Sequence, residues 1–487
     1  MELQEVKNKG IAGVLWGVLG KLSTHIITFI VTVILARLLA PSDFGLVAMA
    51  MIFVYFTQTF MDFGLTSAVI QKKDPTETQI NTVFIISMVL ATCLMLIMII
   101  IAPFIGKYYN NPEVTKIARF VSYSFVIYAL TGIQRALFSK QLNIKFLTVV
   151  NMSGAFVQGI SGVLLAIYGY GAWSIVYSVF LGNVVSTVML WIKSSWRPKW
   201  LFNLHEIKDM FTFGFKMFIA GVLNSIYAKI DELIIGKIFN ATTLGYYSRS
   251  KTFNNLITSY TSEGLSSIFF PIMSHLQNEM EKAKTVIIKS LEIISFIAFG
   301  LVGLLYLDAE PLIVLIFGAK WEPSVEYFKI LAFIGYAYPV SVILVNVLTG
   351  LGESGKFLIL EIWKKGIGLA GLAVGFVWGM NGFLWAMVIT GTIGVMLNMR
   401  YVQIITDLKF SKQFFVLVKY AILAFISAFI VWFINLYLPH NLWLLLAVNT
   451  ILFTGLYLLY NFALKTNGFL YVKDIFINKL LKKIMGK

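Results

Sequence analysis

Residues 80–105 read INTVFIISMVLATCLMLIMIIIAPFI, a run that contains no Asp, Glu, Lys or Arg. A helix needs about 20 apolar residues to cross the hydrocarbon of a bilayer, so this run is long enough to span a membrane. Of the 487 residues, 59% are hydrophobic and 13% are charged, whereas an ordinary soluble domain has about 25% charged residues. The sequence therefore predicts an all-α, polytopic membrane protein.

Similar apolar runs recur along the whole chain and predict about fourteen transmembrane helices. They lie near 11–38, 44–70, 80–105, 117–138, 146–168, 171–192, 211–238, 244–273, 285–306, 323–349, 357–378, 381–403, 415–437 and 441–463. The apolar stretch 308–318 could be a helix end or a re-entrant piece, and we interpret it as part of a loop. No cleavable signal peptide is expected, because the opening MELQEVKNKG carries both signs of charge.

The formal net charge of +16 follows the predicted topology. If the N-terminus is cytoplasmic, most of the 39 Lys and Arg residues fall in cytoplasmic connections and helix ends, as the positive-inside rule requires. The opposite connections hold Arg37, Lys107, Lys116, Arg119, Lys237, Lys320 and Lys329. We therefore expect both termini in the cytoplasm and anionic lipid headgroups as the default partner of the excess charge, and we expect no nucleic-acid binding.

Two segments repeat at a constant offset of 200 residues. ILARLLAPSDFGLVAMAMIF, from Ile34, aligns without a gap with IIGKIFNATTLGYYSRSKTF, from Ile234, and the alignment pairs Gly45 with Gly245. Both copies enter the membrane in the same direction, which predicts a parallel repeat about an axis along the membrane normal. The predicted parts are an N-terminal six-helix lobe (1–192), a cytoplasmic interfacial linker (193–210), a C-terminal six-helix lobe (211–405), and two further helices with a basic cytoplasmic tail (406–487).

The first lobe carries polar side chains inside two predicted spans, where a charge costs about 2.5–3.5 kcal/mol unless it faces protein or water. Helical spacing places one group on a single face of the first span: Lys21, His25, Thr28 and Thr32. The second span carries Tyr55, Gln58 and Asp62 in the same way. Lys21 and Asp62 lie at similar depth, so they either pair between packed helices or line a cavity in which the lysine attracts an anion.

The second lobe repeats this arrangement over its first two spans. One span carries Ser225, Lys229, Asp231 and Glu232, and the next carries Arg249, Glu263 and a polar stripe of Tyr247, Lys251, Asn254, Asn255, Thr258 and Ser262. Salt bridges of Asp231 and Glu232 with the bases of the next span would explain the charges. The length of the stripe favours an aqueous cavity instead, because such a surface needs water.

Other motifs in the chain have simpler explanations. Glu361, Lys364 and Lys365 can pair at helical spacing near the start of a span, and Glu292 lies near another such start. GLGESGKF, from Gly350, matches the phosphate-loop spacing only up to its lysine, because Phe357 replaces the metal-binding Ser or Thr. Cys93 is the single cysteine, which excludes an internal disulfide. We therefore expect no ATP, no metal site and no enzymatic activity.

Four segments resemble signature stretches of the Wzx-type lipid-linked oligosaccharide flippases, in the branch that exports colanic and teichuronic acid repeat units. They are ARLLAPSDFGLVAMA from Ala36, DFGLTSAVIQK from Asp62, DELIIGKIFNATTLGYYSRS from Asp231 and FFPIMSHLQNE from Phe269. The resemblance covers nearly the whole chain but does not specify the sugar. The same superfamily includes multidrug and toxin extruders and the peptidoglycan-precursor flippase.

This resemblance implies a two-lobe, V-shaped transporter in a bacterial plasma membrane, with alternating access through a central cationic cavity. The substrate would be an undecaprenyl-pyrophosphate-linked oligosaccharide, and polysaccharide-assembly proteins are possible partners. The candidate substrate-binding residues are Lys21, His25, Arg249, Lys251, Asn254 and Asn255, with Lys21, Arg249 and Lys251 nearest the pyrophosphate. Acids accompany these bases, a departure from a strongly basic cavity.

No ATPase motif supplies energy, so the resemblance implies an ion gradient or consumption of the product outside. The candidates for binding H⁺ or Na⁺, or for pairing with the bases, are Asp62, Asp231, Glu232 and Glu263. Two other functions remain open. An ion-coupled drug exporter of the same superfamily would use the same acids on cationic substrates, and a membrane polysaccharide polymerase would need a site near Asp308 and Glu310 in the longest external loop.

Overall fold

A computed structural model describes residues 3–62, 65–207, 225 and 227–474 of the chain. Its helices are α1 (Leu3–Leu38), α2 (Pro41–Asp62), α3 (Leu65–Gln71), α4 (Glu77–Tyr108), α5 (Pro112–Lys140), α6 (Ile144–Ile167), α7 (Ala172–Lys193), α8 (described over 227–238), α9 (Ala241–His275), α10 (Met280–Leu307), α11 (Ala309–Phe317), α12 (Pro323–Ile334), α13 (Ala337–Gly350), α14 (Ser354–Gly375), α15 (Gly379–Thr406), α16 (Phe410–Asn435), α17 (Leu442–Ala463) and α18 (Asn467–Asp474). The described chain contains no strand, which confirms the all-α prediction.

Ten helical stretches of the described residues are long and apolar enough to cross a membrane. One of them, Ser354–Thr406, contains both α14 and α15, which a short 3-10 turn at Phe376–Trp378 separates. The predicted span 323–349 is interrupted between α12 and α13, and α3 follows α2 as a separate short helix. The membrane-spanning architecture is confirmed, and the count of fourteen spans stays a prediction.

The interpretation of 308–318 as a loop is wrong, because Ala309–Phe317 forms the helix α11. Ile313 and Phe317 are fully buried, and α11 packs against α17. The apolar run PLIVLIF tolerates a proline because Pro311 lies in the first turn, where a missing N–H costs little. Burial of this apolar side stabilises the helix.

The Cα positions divide into two compact units, residues 1–248 and 249–487. In the first unit, α6 packs against α1 on one side and α7 on the other, and α4 packs against α5. Glycines allow these helices to approach closely: a Cβ on Gly20 would lie 2.5 Å from Thr148 Cγ2, and a Cβ on Gly154 would lie 2.2 Å from Ser186 Oγ. Small residues at such crossings are typical of membrane helix bundles. The predicted lobe boundaries stay a prediction.

In the second unit, α10 packs along α16, and a polar cluster joins them. Glu292 of α10 is 4% exposed, and its carboxylate lies 2.7 Å from Lys419 Nζ of α16. The Tyr420 hydroxyl donates a hydrogen bond to the same carboxylate and accepts one of 2.8 Å from the backbone N–H of Gly468 at the start of α18. Glu292 is therefore part of a buried helix-to-helix connection, in addition to lying near a span entry.

The segment after α7 is an extended chain held against the start of α4. The backbone N–H of Lys199 donates to Asn81 Oδ1 at 2.6 Å, and that of Asn203 donates to Thr82 Oγ1 at 3.0 Å. Trp200 between these two anchors is 96% exposed. The backbone of this segment is therefore anchored, and its predicted position in the membrane interface stays a prediction.

Candidate functional site

The predicted polar face of α1 lines a cavity within the first unit. Lys21, His25 and Thr28 all border this cavity, which has a volume of about 490 Å³ and lies between α1, α5, α6 and α7. Gly17 and Gly20 of α1 border it as well, at the point where α1 lies against Ile144 and Thr148 of α6. The helical spacing that predicted a shared face is therefore correct, and this face borders open space.

The other walls of the cavity are polar. Arg135 of α5 donates a hydrogen bond of 2.8 Å from Nη1 to Asn151 Oδ1 of α6. The amide of Asn183 in α7 donates to the Tyr128 hydroxyl at 3.2 Å. The lining contains further amide and hydroxyl side chains beside the apolar ones of Ile144, Leu147 and Ala155: Thr24, Thr148, Asn151, Gln158, Asn183 and Ser186. Such groups can donate and accept hydrogen bonds in the way that sugar hydroxyls require.

Two cationic side chains line the cavity. Lys21 and Arg135 both line it, and none of its described lining residues is Asp or Glu. A lysine ammonium and an arginine guanidinium in a partly enclosed space attract anions, and the guanidinium offers a planar pair of N–H donors that suits phosphate oxygens. The arrangement is therefore chemically suited to an anionic group attached to a hydroxyl-rich molecule.

A second polar cluster joins α8 to α9. The Tyr247 hydroxyl, in a fully buried side chain, donates a hydrogen bond to Asp231, which is 5% exposed. On the same turn of α8, Lys229 Nζ lies 2.8 Å from Glu232 Oε1 and 5.5 Å from the ring centroid of Tyr55 in α2. Asp231 and Glu232 therefore both have local partners, but neither of these two partners is a base of the next span, and the roles of both acids stay predictions.

The remaining predicted site residues divide into two groups. Arg249 and Lys251 are half-buried side chains at the start of the second unit. The side chains of four others lie outside the described residues: Asp62, Asn254, Asn255 and Glu263. A shared vestibule that joins Lys21 to Arg249 and Lys251 stays a prediction.

The sequence interpretation missed the partners that α5, α6 and α7 contribute to the cavity. By the positive-inside rule, Arg135 is predicted only as one of the basic residues at a cytoplasmic helix end. In the structure it lines the same cavity as Lys21. Asn151 and Gln158 are seven residues apart in α6 and so share a helix face, a spacing that would have revealed them. The pairing of α6 with α1 is a long-range contact that no local pattern encodes.

The simpler explanations of the other motifs agree with the structure. Lys364 Nζ lies 2.5 Å from Glu361 Oε1, the predicted pair at a spacing of three residues. The phosphate-loop match is the turn between α13 and α14, where Gly352 adopts a φ of 84°. Near the start of α11, Asp308 is 2% exposed and accepts a hydrogen bond of 3.1 Å from Thr450 of α17. Glu310 lies 3.3 Å from His440.

Comparison with known proteins gives a family match over more than half of the chain. The family described as polysaccharide biosynthesis protein matches residues 34–326. The succinoglycan biosynthesis transport protein ExoT of Rhizobium meliloti is 25% identical over 307 residues, which are 63% of this chain and 62% of that protein. The lipopolysaccharide biosynthesis protein WzxC of Escherichia coli is 21% identical over 421 residues, which are 85% of this chain and 82% of that protein.

The fold is also similar to a solved structure. The inward closed conformation of the lipid II flippase MurJ superposes with a TM-score of 0.73, over 93% of this chain and 99% of that one. The two sequences are 12% identical, so the likeness concerns the fold alone. The likeness extends well beyond residues 34–326 and shows that nearly the whole chain shares this helical fold.

Proposed function

Because the chain belongs to the polysaccharide biosynthesis protein family, we propose that it is a flippase for lipid-linked oligosaccharides. It would move undecaprenyl-pyrophosphate-linked repeat units from the cytoplasmic to the outer leaflet of a bacterial plasma membrane by alternating access. The observation that carries this proposal is the cavity that joins Lys21 and Arg135 to the amides of α6 and α7. Cations suit the pyrophosphate, and amides and hydroxyls suit the sugar.

The physical requirement for such a cavity follows from the substrate. A pyrophosphate cannot cross hydrocarbon as an ion, because the free-energy cost of removing its hydration far exceeds the free energy of its contacts with lipid chains. A polar cleft with fixed positive charge replaces that hydration while the lipid tail stays in the bilayer. Family relatives named for succinoglycan transport and lipopolysaccharide biosynthesis support a sugar-bearing substrate.

We further propose that one or more of Asp62, Asp231, Glu232 and Glu263 binds H⁺ or Na⁺ and biases the alternation. For Asp231, the bond from Tyr247 links the acid to α9, so ion binding there would act on the contact between α8 and α9. Gradient-dependent transport that survives neutralisation of all four acids would remove this part of the proposal. Both termini would face the cytoplasm, and polysaccharide-assembly proteins would act on the product.

The test is complementation of a strain that lacks the gene. Lipid-linked oligosaccharide exposed on the outer leaflet of spheroplasts is measured for wild type, Lys21→Gln/Arg135→Gln and a control, Lys73→Gln/Lys193→Gln. The control removes the same charge from two exposed side chains away from the cavity. We expect about a hundredfold loss for the cavity variant, from two lost charge-assisted contacts, and none for the control.

The same strains distinguish a drug exporter from a flippase. A drug exporter would extrude a hydrophobic cation such as ethidium, and removal of cavity cations would preserve or increase that efflux. Equal oligosaccharide exposure in the cavity variant and wild type, with ethidium efflux present, would overturn the flippase proposal. Accumulation of the oligosaccharide on the cytoplasmic face in the cavity variant would support it.

A further inference from the structure

A second charged cavity lies in the second unit, between the first turns of α10, the first turns of α16 and the short helix α18. Its volume is about 650 Å³. Four lysines and two glutamates line it: Lys284, Lys289, Lys412, Lys419, Glu281 and Glu292. None of these residues belongs to the cavity of α1, and none enters the proposed function above.

The charges in this cavity do not balance. Glu281 lies 2.6 Å from Lys284, and Glu292 lies 2.7 Å from Lys419, so each carboxylate neutralises one lysine. Lys289 lies 4.5 Å from the ring centroid of Tyr471, and neither Lys289 nor Lys412 forms an ion pair within the described chain. Two positive charges therefore remain, on exposed side chains that face one space.

The inner wall of the cavity is held in place. Glu292 is buried and fixes Lys419, while the Tyr420 hydroxyl bonds both to Glu292 and to the backbone N–H of Gly468. A Cβ on Gly468 would lie 2.4 Å from the Glu292 carbonyl oxygen, so α18 can approach only with glycine there. A cation positioned by a buried carboxylate keeps its geometry without a ligand, which favours anion binding.

The apolar surface above the lysines points to a lipid. Lys412 and Lys419 share one face of α16 with a stripe of exposed apolar side chains that continues toward the other end of the helix. The stripe is Phe415, Ile422, Ile426, Phe429 and Phe433, and together with Lys412 and Lys419 it follows steps of three and four residues. Cationic groups at one end and an apolar track along the same face match the two parts of an amphiphile.

We propose that this cavity binds the phosphate group of an anionic phospholipid of the surrounding bilayer, with the acyl chains along the exposed face of α16. Lysines at the polar boundary of a membrane suit such a group, because their ammonium groups reach the headgroup region while their stems stay in apolar surroundings. The two lysines without a carboxylate partner, Lys289 and Lys412, supply the charge that selects an anionic headgroup.

The test measures lipid retention by native mass spectrometry of the purified full-length chain. Phosphatidylglycerol, a polyprenyl pyrophosphate and inorganic pyrophosphate are added separately to wild type, Lys289→Gln/Lys412→Gln, and the control Lys73→Gln/Lys193→Gln. We expect the lysine variant to retain about tenfold less phosphatidylglycerol and the control to behave as wild type. Lys289→Arg/Lys412→Arg should restore retention, and unliganded thermal unfolding confirms that each variant is folded.

The separate probes identify the source. Lysine-dependent retention of phosphatidylglycerol supports the proposal, and retention of the polyprenyl pyrophosphate alone would overturn it in favour of a substrate-like lipid. Equal retention by the lysine variant and the control would overturn it, as would binding of inorganic pyrophosphate with neither lipid retained. Because Lys21 and Arg135 are unchanged, failure here leaves the proposed function untouched.

Discussion

Gly45 and Gly245 each lie against the first turn of the helix that carries the other. A Cβ on Gly45, in α2, would lie 1.7 Å from the carbonyl oxygen of Ala241 in α9. A Cβ on Gly245, in α9, would lie 1.9 Å from the carbonyl oxygen of Pro41 in α2. All four residues belong to the first unit. The two helices therefore cross at their starts with their backbones in contact.

This crossing agrees with the internal repeat. The offset of 200 residues pairs Gly45 with Gly245 and also pairs Pro41 with Ala241. If the two copies of the repeat are exchanged, the contact of Gly45 with Ala241 becomes the contact of Gly245 with Pro41. A twofold relation between α2 and α9 requires this. Because a backbone carbonyl occupies the place of each missing Cβ, the sequence needs glycine at both positions of the repeat.

Gly45→Ala should destabilise the protein by about 2 kcal/mol, because the new methyl group overlaps a carbonyl that can move only with its helix. Gly245→Ala should have a similar effect. Gly455→Ala is the control, since its Cβ would meet nothing within 4 Å in α17 and alanine favours a helix. Thermal unfolding in lipid nanodiscs measures all three. Unfolding of Gly45→Ala at the temperature of Gly455→Ala would show that this crossing is not formed.

Tyr247→Phe should destabilise the protein by about 1–3 kcal/mol, because it removes a hydrogen-bond donor from the buried carboxylate of Asp231. Tyr123→Phe is the control, because Tyr123 is 48% exposed and its hydroxyl reaches the solvent or headgroup region. The difference in unfolding temperature between the two variants is the measurement. If both variants unfold together, the Asp231 carboxylate does not depend on Tyr247.

Local patterns in the sequence predicted most helices, and long-range pairing decided the rest. The run at 80–105 needed only its own residues to be recognised as part of α4. The face of Lys21 and His25 followed from helical spacing, and the cavity beside it confirms that face. Arg135 could not be placed there, because its position depends on how α5, α6 and α7 pack.

Glu292 illustrates the same limit in the second unit. From the sequence it is one acid near the start of a span, since its partner Lys419 lies 127 residues further along the chain. The pairing of α10 with α16 brings the two together and turns a marginal feature into a buried ion pair. Similarly, α11 was interpreted as a loop because its stabilising contact with α17 is remote in sequence.

The stability of the protein should fall as the pH rises through the titration of Asp308. Burial raises the pKa of this carboxyl from 3.8 to about 6, even though Thr450 donates a hydrogen bond to it. The folded state therefore binds the proton more tightly than the unfolded state. The resulting stabilisation is complete below pH 3.8 and is lost as the pH rises to about 6 and above.

Asp308→Asn should remove this pH dependence, which amounts to about 3 kcal/mol between pH 3.8 and about 6. Unfolding temperatures at acidic and neutral pH are compared for wild type, Asp308→Asn and Asp74→Asn, a control at an exposed turn. The Asp308 variant should give the flatter profile, and the control should follow wild type. Identical slopes for all three proteins would show that Asp308 is already ionised at acidic pH.

Glu292→Gln should destabilise the protein by about 1–2 kcal/mol, because it leaves the ammonium of Lys419 without its carboxylate. The loss is smaller than for a fully buried pair, since the Lys419 side chain is 35% exposed and can turn toward water. Glu361→Gln is the matched control. It breaks the ion pair with Lys364 within one helix, where the carboxylate is more exposed than that of Glu292, and such a pair contributes only about 0.3–0.5 kcal/mol.

The double substitution Glu292→Leu/Lys419→Met tests the electrostatic origin of that loss. It removes both charges and fills the space with apolar groups of similar size, so neither ion is left uncompensated. We therefore expect the double variant to unfold at a higher temperature than Glu292→Gln, although Tyr420 loses its acceptor in the process. A double variant less stable than Glu292→Gln would mean that the bond from Tyr420, and not the ion pair, holds α10 against α16.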